Sequence, residues 1–198
     1  MNKSNLNRRE LMRLLSLTMA GAALLPASSF AGATDKGRTV FIPPGEGKKG
    51  KMGVNDIVFK LNRSQTDGNL GSAEIVLQPG LLGSIPHYHN SFDEVCIVLE
   101  GSVTIKIENE IYNVAAGGWH LRPRGSVHCF WNAGTIAVRF IELYIPAGHE
   151  IFMQNLADLF IDNKIPSQQQ VADLGEKYDT HFKWDQLPEV MKQYNVHL

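Results

Sequence analysis

The chain contains 198 residues, with 19 lysines and arginines against 20 aspartates and glutamates, and its formal net charge is −1. This length suffices for one ordinary domain with a buried core. The near balance of charge gives no reason to expect nucleic acid as a partner. The sequence has no run of about 18 or more apolar residues, so it predicts no membrane-spanning helix.

The N-terminus, over residues 1–33, is predicted to be an export signal rather than part of the fold. Arg8-Arg9 precedes a short apolar stretch from Leu14 to Leu25, and Ala31-Gly32-Ala33 forms a small-residue cleavage site. These parts occur in the order of a bacterial twin-arginine signal. The alternative is an ordinary amphipathic helix. We expect the twin-arginine export machinery to deliver a mature chain, starting near Thr34, to the periplasm without further membrane association.

A strand-rich region follows an N-terminal arm, which we place at residues 34–55. Within the arm, glycine and lysine dominate Gly45–Gly53, which predicts a flexible basic loop. Between residues 56 and 148, short apolar segments alternate with turn residues, and every second residue of Ser102–Ile107 is apolar. Many short strands with close turns favour an all-β sandwich or barrel. The predicted strands are Asp56–Asn62, Leu70–Leu77, Ser84–His89, Glu94–Leu99, Ser102–Ile107, Ile111–Ala115, Trp119–Arg122, Val127–Trp131 and Ile136–Tyr144.

The hydrophobic period changes toward the C-terminus, where residues 149–198 are predicted to form a helical tail. Apolar residues occur at helical spacing in Phe152–Phe160. Ser167 and Gln170 have the spacing of a capping box before a second helix, and Leu187–Tyr194 is predicted to form a third.

The cysteines, Cys96 and Cys129, do not form a disulfide framework. Cys129 follows His128, so its side chain should leave the opposite face of that strand, whereas Cys96 shares the parity of Glu94. We expect two buried, unpaired thiols in different layers.

Four potential metal ligands are the most informative residues: His87, His89, Glu94 and His128. His87 and His89 are two residues apart and therefore face the same side of a strand. Glu94 has the opposite parity and can join them only if Asn90–Asp93 turns or bulges, which its turn-forming residues allow. Three nitrogen donors and one oxygen donor suit a first-row divalent ion and can leave coordination positions open.

These residues lie in two segments that resemble the two motifs of the cupins, a superfamily of small jelly-roll β-barrels. His87, His89, Glu94 and Gly101 fit the first motif, although Leu81 occupies the place of its leading glycine. The second motif is matched at each of its named positions, which are Gly117, Pro123, Gly125, His128 and Asn132.

The resemblance implies a double-stranded β-helix barrel over residues 56–148, in which His87, His89, Glu94 and His128 bind one divalent transition ion per chain. The donor set leaves open whether the ion is manganese, iron, nickel, copper or zinc. Because a twin-arginine substrate crosses the membrane folded, the ion could be acquired before export. The segments around the second motif further resemble single-domain, quercetin dioxygenase-like cupins.

Other polar residues of the strands leave alternatives open. His120 and Arg122 share a face of their strand, and they either line the cavity and hold an anionic substrate or pair with acids outside. Glu142 interrupts an apolar run; pairing with Arg139 or Arg122 is favoured over a role as a second acid or base.

The aromatic residues of the strands and the histidines of the tail are not expected to take part in the chemistry of the site. The aromatic candidates for the cavity wall, for which core packing is the default, are Phe130, Trp119 and Trp131. The tail histidines, which we expect to play no part in the site, are His149, His181 and His197.

Three functions are compatible with this donor set. The first is a metal-dependent dioxygenase for a small phenolic or enolic substrate, with Glu94 also acting as a general base. The second is a non-redox lyase, decarboxylase or isomerase, and the third is ligand binding without turnover. The resemblance also predicts a homodimer, with contacts at the exposed edge before Asp56 and in the helical tail.

Overall fold

The computed structural model describes residues 39–198, so the predicted export signal lies outside the described residues. Within them, eleven strands form two antiparallel sheets, with strand orders β1-β2-β3-β10-β5-β8 and β11-β4-β9-β6-β7. The strands are β1 Lys48–Met52, β2 Asn55–Phe59, β3 Gly71–Leu77, β4 Leu82–Tyr88, β5 Asp93–Glu100, β6 Ser102–Ile107, β7 Glu110–Ala115, β8 Trp119–Arg122, β9 His128–Trp131, β10 Val138–Ile145 and β11 His181–Phe182.

Successive strands repeatedly cross from one sheet to the other, as β3, β4 and β5 do. This connectivity gives a jelly-roll β-barrel, and the predicted fold class is therefore confirmed. The sequence period explains the packing, because alternate residues of β5 are buried and face the opposite sheet. Apolar side chains from both sheets fill the space between them, including Val98 and Phe140 from one sheet and Ile105 and Phe130 from the other.

Three α-helices and one 3-10 turn follow the barrel: α1 His149–Leu159, the turn Ile161–Asn163, α2 Gln168–Lys177 and α3 Leu187–Tyr194. The capping box of Ser167 and Gln170 begins α2 as predicted. Helix α3 packs outside the barrel, where Val190 joins Trp131 and Val196 in a second apolar cluster. No helix among residues 39–198 has the length and apolar character needed to cross a membrane.

The predicted loop at Gly45–Gly53 is wrong in part, because it contains strand β1. This strand pairs antiparallel with β2. Gly50 lies against Ala157 of helix α1, and a Cβ atom added to Gly50 would be 3.1 Å from the Cβ of Ala157. Glycine thus permits close packing of a helix on the strand. The local composition suggests flexibility, whereas pairing with β2 imposes the extended conformation.

Strand β11 was absent from the prediction. Its two residues, His181 and Phe182, pair with Tyr88 and His87 of β4. So short a strand has no periodic pattern of its own.

The prediction for the thiols is confirmed. Cys96 and Cys129 are free and buried, the first in the barrel core and the second in the cluster beside α3. Burial raises the pKa of both thiols, that of Cys129 to about 12. Both therefore remain protonated at neutral pH.

Candidate metal centre

The two sheets bring the four predicted ligands together. His87 in β4 is paired with His128 in β9, and His89 lies just beyond the end of β4. The chain then turns through residues 90–92 and enters β5, where Glu94 faces the barrel interior. One potential ligand atom from each of the four residues lies within 4.8 Å of the others, and all four residues are buried.

Backbone carbonyls fix the orientation of the three imidazole rings. Each Nδ1 atom lies close to a backbone carbonyl oxygen. The distance is 2.7 Å from His87 to the oxygen of Ile85, 3.0 Å from His89 to that of Asp179, and 3.0 Å from His128 to that of Ser126. Each Nδ1 atom can therefore donate its proton to a carbonyl, which leaves the Nε2 lone pair available to a metal.

The donor atoms fit a cation. His89 Nε2 is buried without a hydrogen-bond partner. His128 Nε2 lies 3.0 Å from Oε2 of Glu94, and when Nδ1 of His128 carries the proton, two lone pairs face each other across this gap. A cation bound at this point would relieve their repulsion. Neutral imidazoles and a carboxylate are also the forms in which these side chains bind metals.

Burial and neighbouring charges favour these protonation states. Burial lowers the pKa of His87 well below its ordinary value and also lowers that of His128, so both imidazoles are neutral. Burial opposes ionisation of Glu94. Nevertheless, the positive charge of Arg122 holds the pKa of Glu94 well below its usual range.

Comparison with known proteins agrees with this geometry. The profile of the cupin domain family matches residues 73–144, which include all four potential ligands. Residues 73–144 form a cupin domain. The finer resemblance to quercetin dioxygenase-like members stays a prediction.

Solved structures support the cupin fold. KdgF from Halomonas sp. aligns with a TM-score of 0.50 and 17% identity, over 57% of this chain and 99% of that one. A predicted oxalate decarboxylase from Thermotoga maritima aligns with a TM-score of 0.51 and 16% identity, over 54% of this chain and 99% of that one. An uncharacterized protein from Aquifex aeolicus is 33% identical over 54 residues, which are 27% of this chain and 45% of the relative. The matched part thus spans less than half of that relative's length.

The sequence left open whether Arg122 lines the cavity or lies on the outside of the barrel. Its side chain lies inside the cupin barrel. Its Nη1 atom lies 3.4 Å from Oε2 of Glu94, and Nη2 donates a hydrogen bond to Glu142. The guanidinium also lies over the ring of Phe130, 5.3 Å from its centroid. The expectation that Glu142 pairs with Arg139 or Arg122 is confirmed, and its partner is Arg122. Arg139, the other partner considered, instead bonds acids elsewhere on the sheet.

The two carboxylates beside Arg122 differ in their protonation. Burial raises the pKa of Glu142 to about 8, despite the opposing charge of Arg122, whereas the pKa of Glu94 is lowered. At neutral pH the barrel thus holds one ionised and one protonated carboxyl group on either side of one guanidinium. His120, on the same strand face as Arg122, is half-buried next to Tyr112.

The aromatic candidates separate into different environments. Phe130 lines the interior, close to Gly83, where an added Cβ would lie 2.0 Å from a ring carbon. Trp131 stacks on Tyr194 of α3, with ring centroids 4.4 Å apart, and the side chain of Trp119 is exposed. Of these three, Phe130 is the one within the main core.

The expectation that the tail histidines play no part is wrong for His149. This residue is buried, and its Nε2 atom lies 3.5 Å from Oε1 of Glu94. Helix α1 begins at His149, a few residues after β10, so its first turn reaches the cluster. His181 contacts Asp179 and the side chain of Asn90 and stacks on Tyr88, so it borders the turn before Glu94 but does not join the cluster. His197 is exposed. Parity along the strands gives no signal for a contact made by a following helix.

Asp179 is a second residue that the sequence did not reveal. Its backbone carbonyl faces His89 Nδ1, while its carboxylate accepts hydrogen bonds from the backbone amides of Asn90 and Ser91 at 3.0 and 2.8 Å. It therefore supports both the ring of His89 and the turn that leads to Glu94. It lies in the tail, far from the motif in sequence, and no pattern marks it.

Proposed function

We propose that this cupin is a metal-dependent enzyme that binds one divalent transition ion through His87, His89, Glu94 and His128 and acts on a small, oxygen-bearing substrate. The observation that carries this proposal is the common orientation of the three imidazoles, whose Nδ1 atoms face backbone carbonyls. Three nitrogen donors and one oxygen donor also leave coordination positions for a substrate.

The surrounding residues define what this site can do. A divalent ion held there would supply Lewis-acid catalysis and bind an oxygen atom of the substrate. Arg122 keeps Glu94 ionised, so the carboxylate is ready both to bind the ion and to accept a substrate proton. The same interactions make it a weaker base. Burial of all four residues excludes bulk water and strengthens each electrostatic interaction.

The first candidate reaction is dioxygenation of a phenolic or enolic substrate. Its support is the donor set, which accepts redox-active ions such as iron, manganese, nickel and copper, together with the resemblance of the second motif. The test is oxygen uptake by protein loaded with each ion and offered phenolic and enolic compounds. Uptake that depends on ion, substrate and Glu94 is expected, and its absence with every ion would reject this candidate.

A second candidate, non-redox lyase, decarboxylase or isomerase chemistry, is favoured by a specific observation. Glu94 and Glu142 flank Arg122 and have pKa values shifted in opposite directions, an arrangement that can supply a base and an acid. The predicted oxalate decarboxylase among the structures of the same fold makes oxalate a reasonable first substrate. Product formation without oxygen uptake would support this candidate, whereas ligand binding without product would favour a non-catalytic role.

The periplasmic location is also a proposal. It is supported by Arg8-Arg9, the apolar stretch and the small-residue site of the N-terminus. Replacing both arginines by lysine should leave the chain in the cytoplasm, as measured by fractionation. Unchanged export would contradict a twin-arginine signal.

A further inference from the structure

The first turn of α1 places an unpredicted imidazole beside the proposed metal centre. His149 is 4% exposed, and its Nε2 atom lies 3.5 Å from Oε1 of Glu94. The ring centroid of His89 is 4.7 Å away. A residue from outside the two cupin motifs thus contacts one ligand and packs on another.

Aromatic rings fix the orientation of this imidazole. Phe152 stacks on it with centroids 5.0 Å apart, and Phe92 and Tyr144 each lie 4.8 Å away. The Nδ1 atom of His149 is buried without a hydrogen-bond partner. An apolar ring would fill such a box without the desolvation of two nitrogens, so packing alone does not explain a histidine here.

The two oxygens of Glu94 have different neighbours. Oε2 faces Arg122 at 3.4 Å and His128 at 3.0 Å. Oε1 faces the Nε2 atoms of His89 at 3.6 Å and His149 at 3.5 Å. The carbonyl of Asp179 favours the His89 tautomer that carries its proton on Nδ1, in which Nε2 of His89 cannot donate to Oε1. When His149 carries its proton on Nε2, it is then the neighbour of Oε1 that can donate.

We propose that His149 is a positioning residue of the metal centre, which holds Oε1 of Glu94 and so sets how this carboxylate meets the ion. The inference rests on the proposed function, because it presumes that Glu94 is a ligand. It makes the start of the C-terminal segment part of the centre. Metal binding and the docking of α1 should then stabilise each other, since such coupling is reciprocal.

Three variants test the inference with cobalt(II) as the probe, whose visible absorption reports coordination geometry. His149→Phe keeps an aromatic ring in the box but removes the donor. His149→Gln keeps an amide donor near the position of Nε2. His197→Phe is the matched control, because His197 is exposed and distant in sequence from the ligands. Circular dichroism establishes that each variant is folded.

We expect His149→Phe to weaken cobalt binding about 10–100-fold, the usual effect of losing a group that orients a ligand, and to alter the absorption bands. His149→Gln should recover most of both properties, and His197→Phe should match wild type. Wild-type affinity and spectrum in both His149 variants would overturn the inference. Loss of one coordinated imidazole in the copper(II) spin-echo spectrum of either variant would also overturn it, because His149 would then be a ligand itself.

A measurement on the wild-type chain covers the case in which His149→Phe does not fold. Amide hydrogen exchange in residues 149–159 should slow when cobalt(II) is added, because the metal stabilises the docked helix. Unchanged exchange in a chain that does bind cobalt would contradict the inference alone. A wild-type chain that binds no cobalt would instead refute the proposed function and, with it, this role of His149.

Discussion

The histidine Nδ1 atoms define the centre as much as the Nε2 atoms that face it. The clustering of His87, His89 and His128 could be predicted from motif spacing, but their carbonyl partners could not, because these depend on the backbone path. Two partners are local, at Ile85 and Ser126, whereas the third is 90 residues away, at Asp179. The sequence therefore predicted which residues cluster, but it did not predict how their imidazole rings are oriented.

Glu94→Gln tests whether this residue is a base as well as a ligand. The amide oxygen can still approach the ion, so part of the metal should remain bound. An amide does not accept a proton at neutral pH, so turnover per bound metal should fall about 10²–10⁴-fold, the usual contribution of general base catalysis. Activity is measured with the substrate that either functional assay identifies, and metal content by elemental analysis. Unchanged activity per metal would make Glu94 a ligand only.

The buried histidines predict acid lability of the metal-free protein. Burial lowers the pKa of His87, His128 and His149 from the ordinary value of 6.5. Below this pH the unfolded chain binds more protons than the folded one, so stability falls on acidification, by up to about 1.4 kcal/mol per pH unit for each histidine.

Glu142 has the opposite effect. Because its folded pKa is raised from 4.5 to about 8, the folded chain binds more protons between these values, and acidification through this window stabilises it. Three histidines outweigh one glutamate, so the urea midpoint should decrease from about pH 6.5 to about pH 5. A midpoint that is constant or increases over this range would contradict the buried, neutral state of the histidines.

At the scale of elements, the turn between β4 and β5 carries Glu94 into the barrel. The turn itself was predictable from its residues, since Glu94 has the opposite strand parity to His87. The residue that holds this turn in place could not be predicted, because Asp179 lies 89 and 88 residues away in sequence from its partners Asn90 and Ser91. The short strand β11 then pairs with β4 beside the same turn. The tail thus supports the strand that carries His87, although its own sequence shows only helical patterns.

Asp179→Gly should weaken metal binding about 10–100-fold, in the range found for supporting residues. Glycine tolerates the positive φ of 55° at this position and keeps the carbonyl that faces His89, so the change isolates the carboxylate. Asp67→Gly is the matched control, because Asp67 is exposed and has a φ of 52°. Cobalt titration of both variants measures the effect. Equal affinities would show that the carboxylate does not support the centre.

At the scale of the whole molecule, strand alternation and the two motifs were enough to predict the jelly roll and its cluster of four potential ligands. The missed features, β1, β11 and His149, are created by contacts between distant segments. Register and helix docking decide these contacts, and neither leaves a periodic mark in the sequence. The sequence therefore predicted the barrel better than it predicted what covers the barrel.

Exposed apolar side chains lie on the outer face of the six-stranded sheet. They suggest where the predicted homodimer would form. Trp119 is 68% and Leu121 57% exposed, and they pair with Ile97 and Val95 of β5. The edge strand β1, which was expected to take part, carries lysines that oppose edge pairing. We therefore propose that the dimer forms through the sheet face that carries Trp119.

Trp119→Glu should convert the dimer into a monomer, because a carboxylate placed in an apolar interface is left unpaired. Light scattering at micromolar concentration measures the mass. Val54→Glu is the control, since Val54 is 65% exposed but lies in the turn between β1 and β2. A monomeric wild type, or a Trp119→Glu variant that remains dimeric, would refute this interface.

Cobalt(II) titration of the metal-free wild-type chain beside His87→Ala tests the central claim most directly. The account predicts saturation at about one ion per chain in the wild type, as in a single site with these donors. His87→Ala should lose most of this binding while its circular dichroism stays that of a folded barrel, because the core consists of apolar strand faces. A wild type that does not bind the ion, or a folded His87→Ala variant that binds it equally well, would contradict the account.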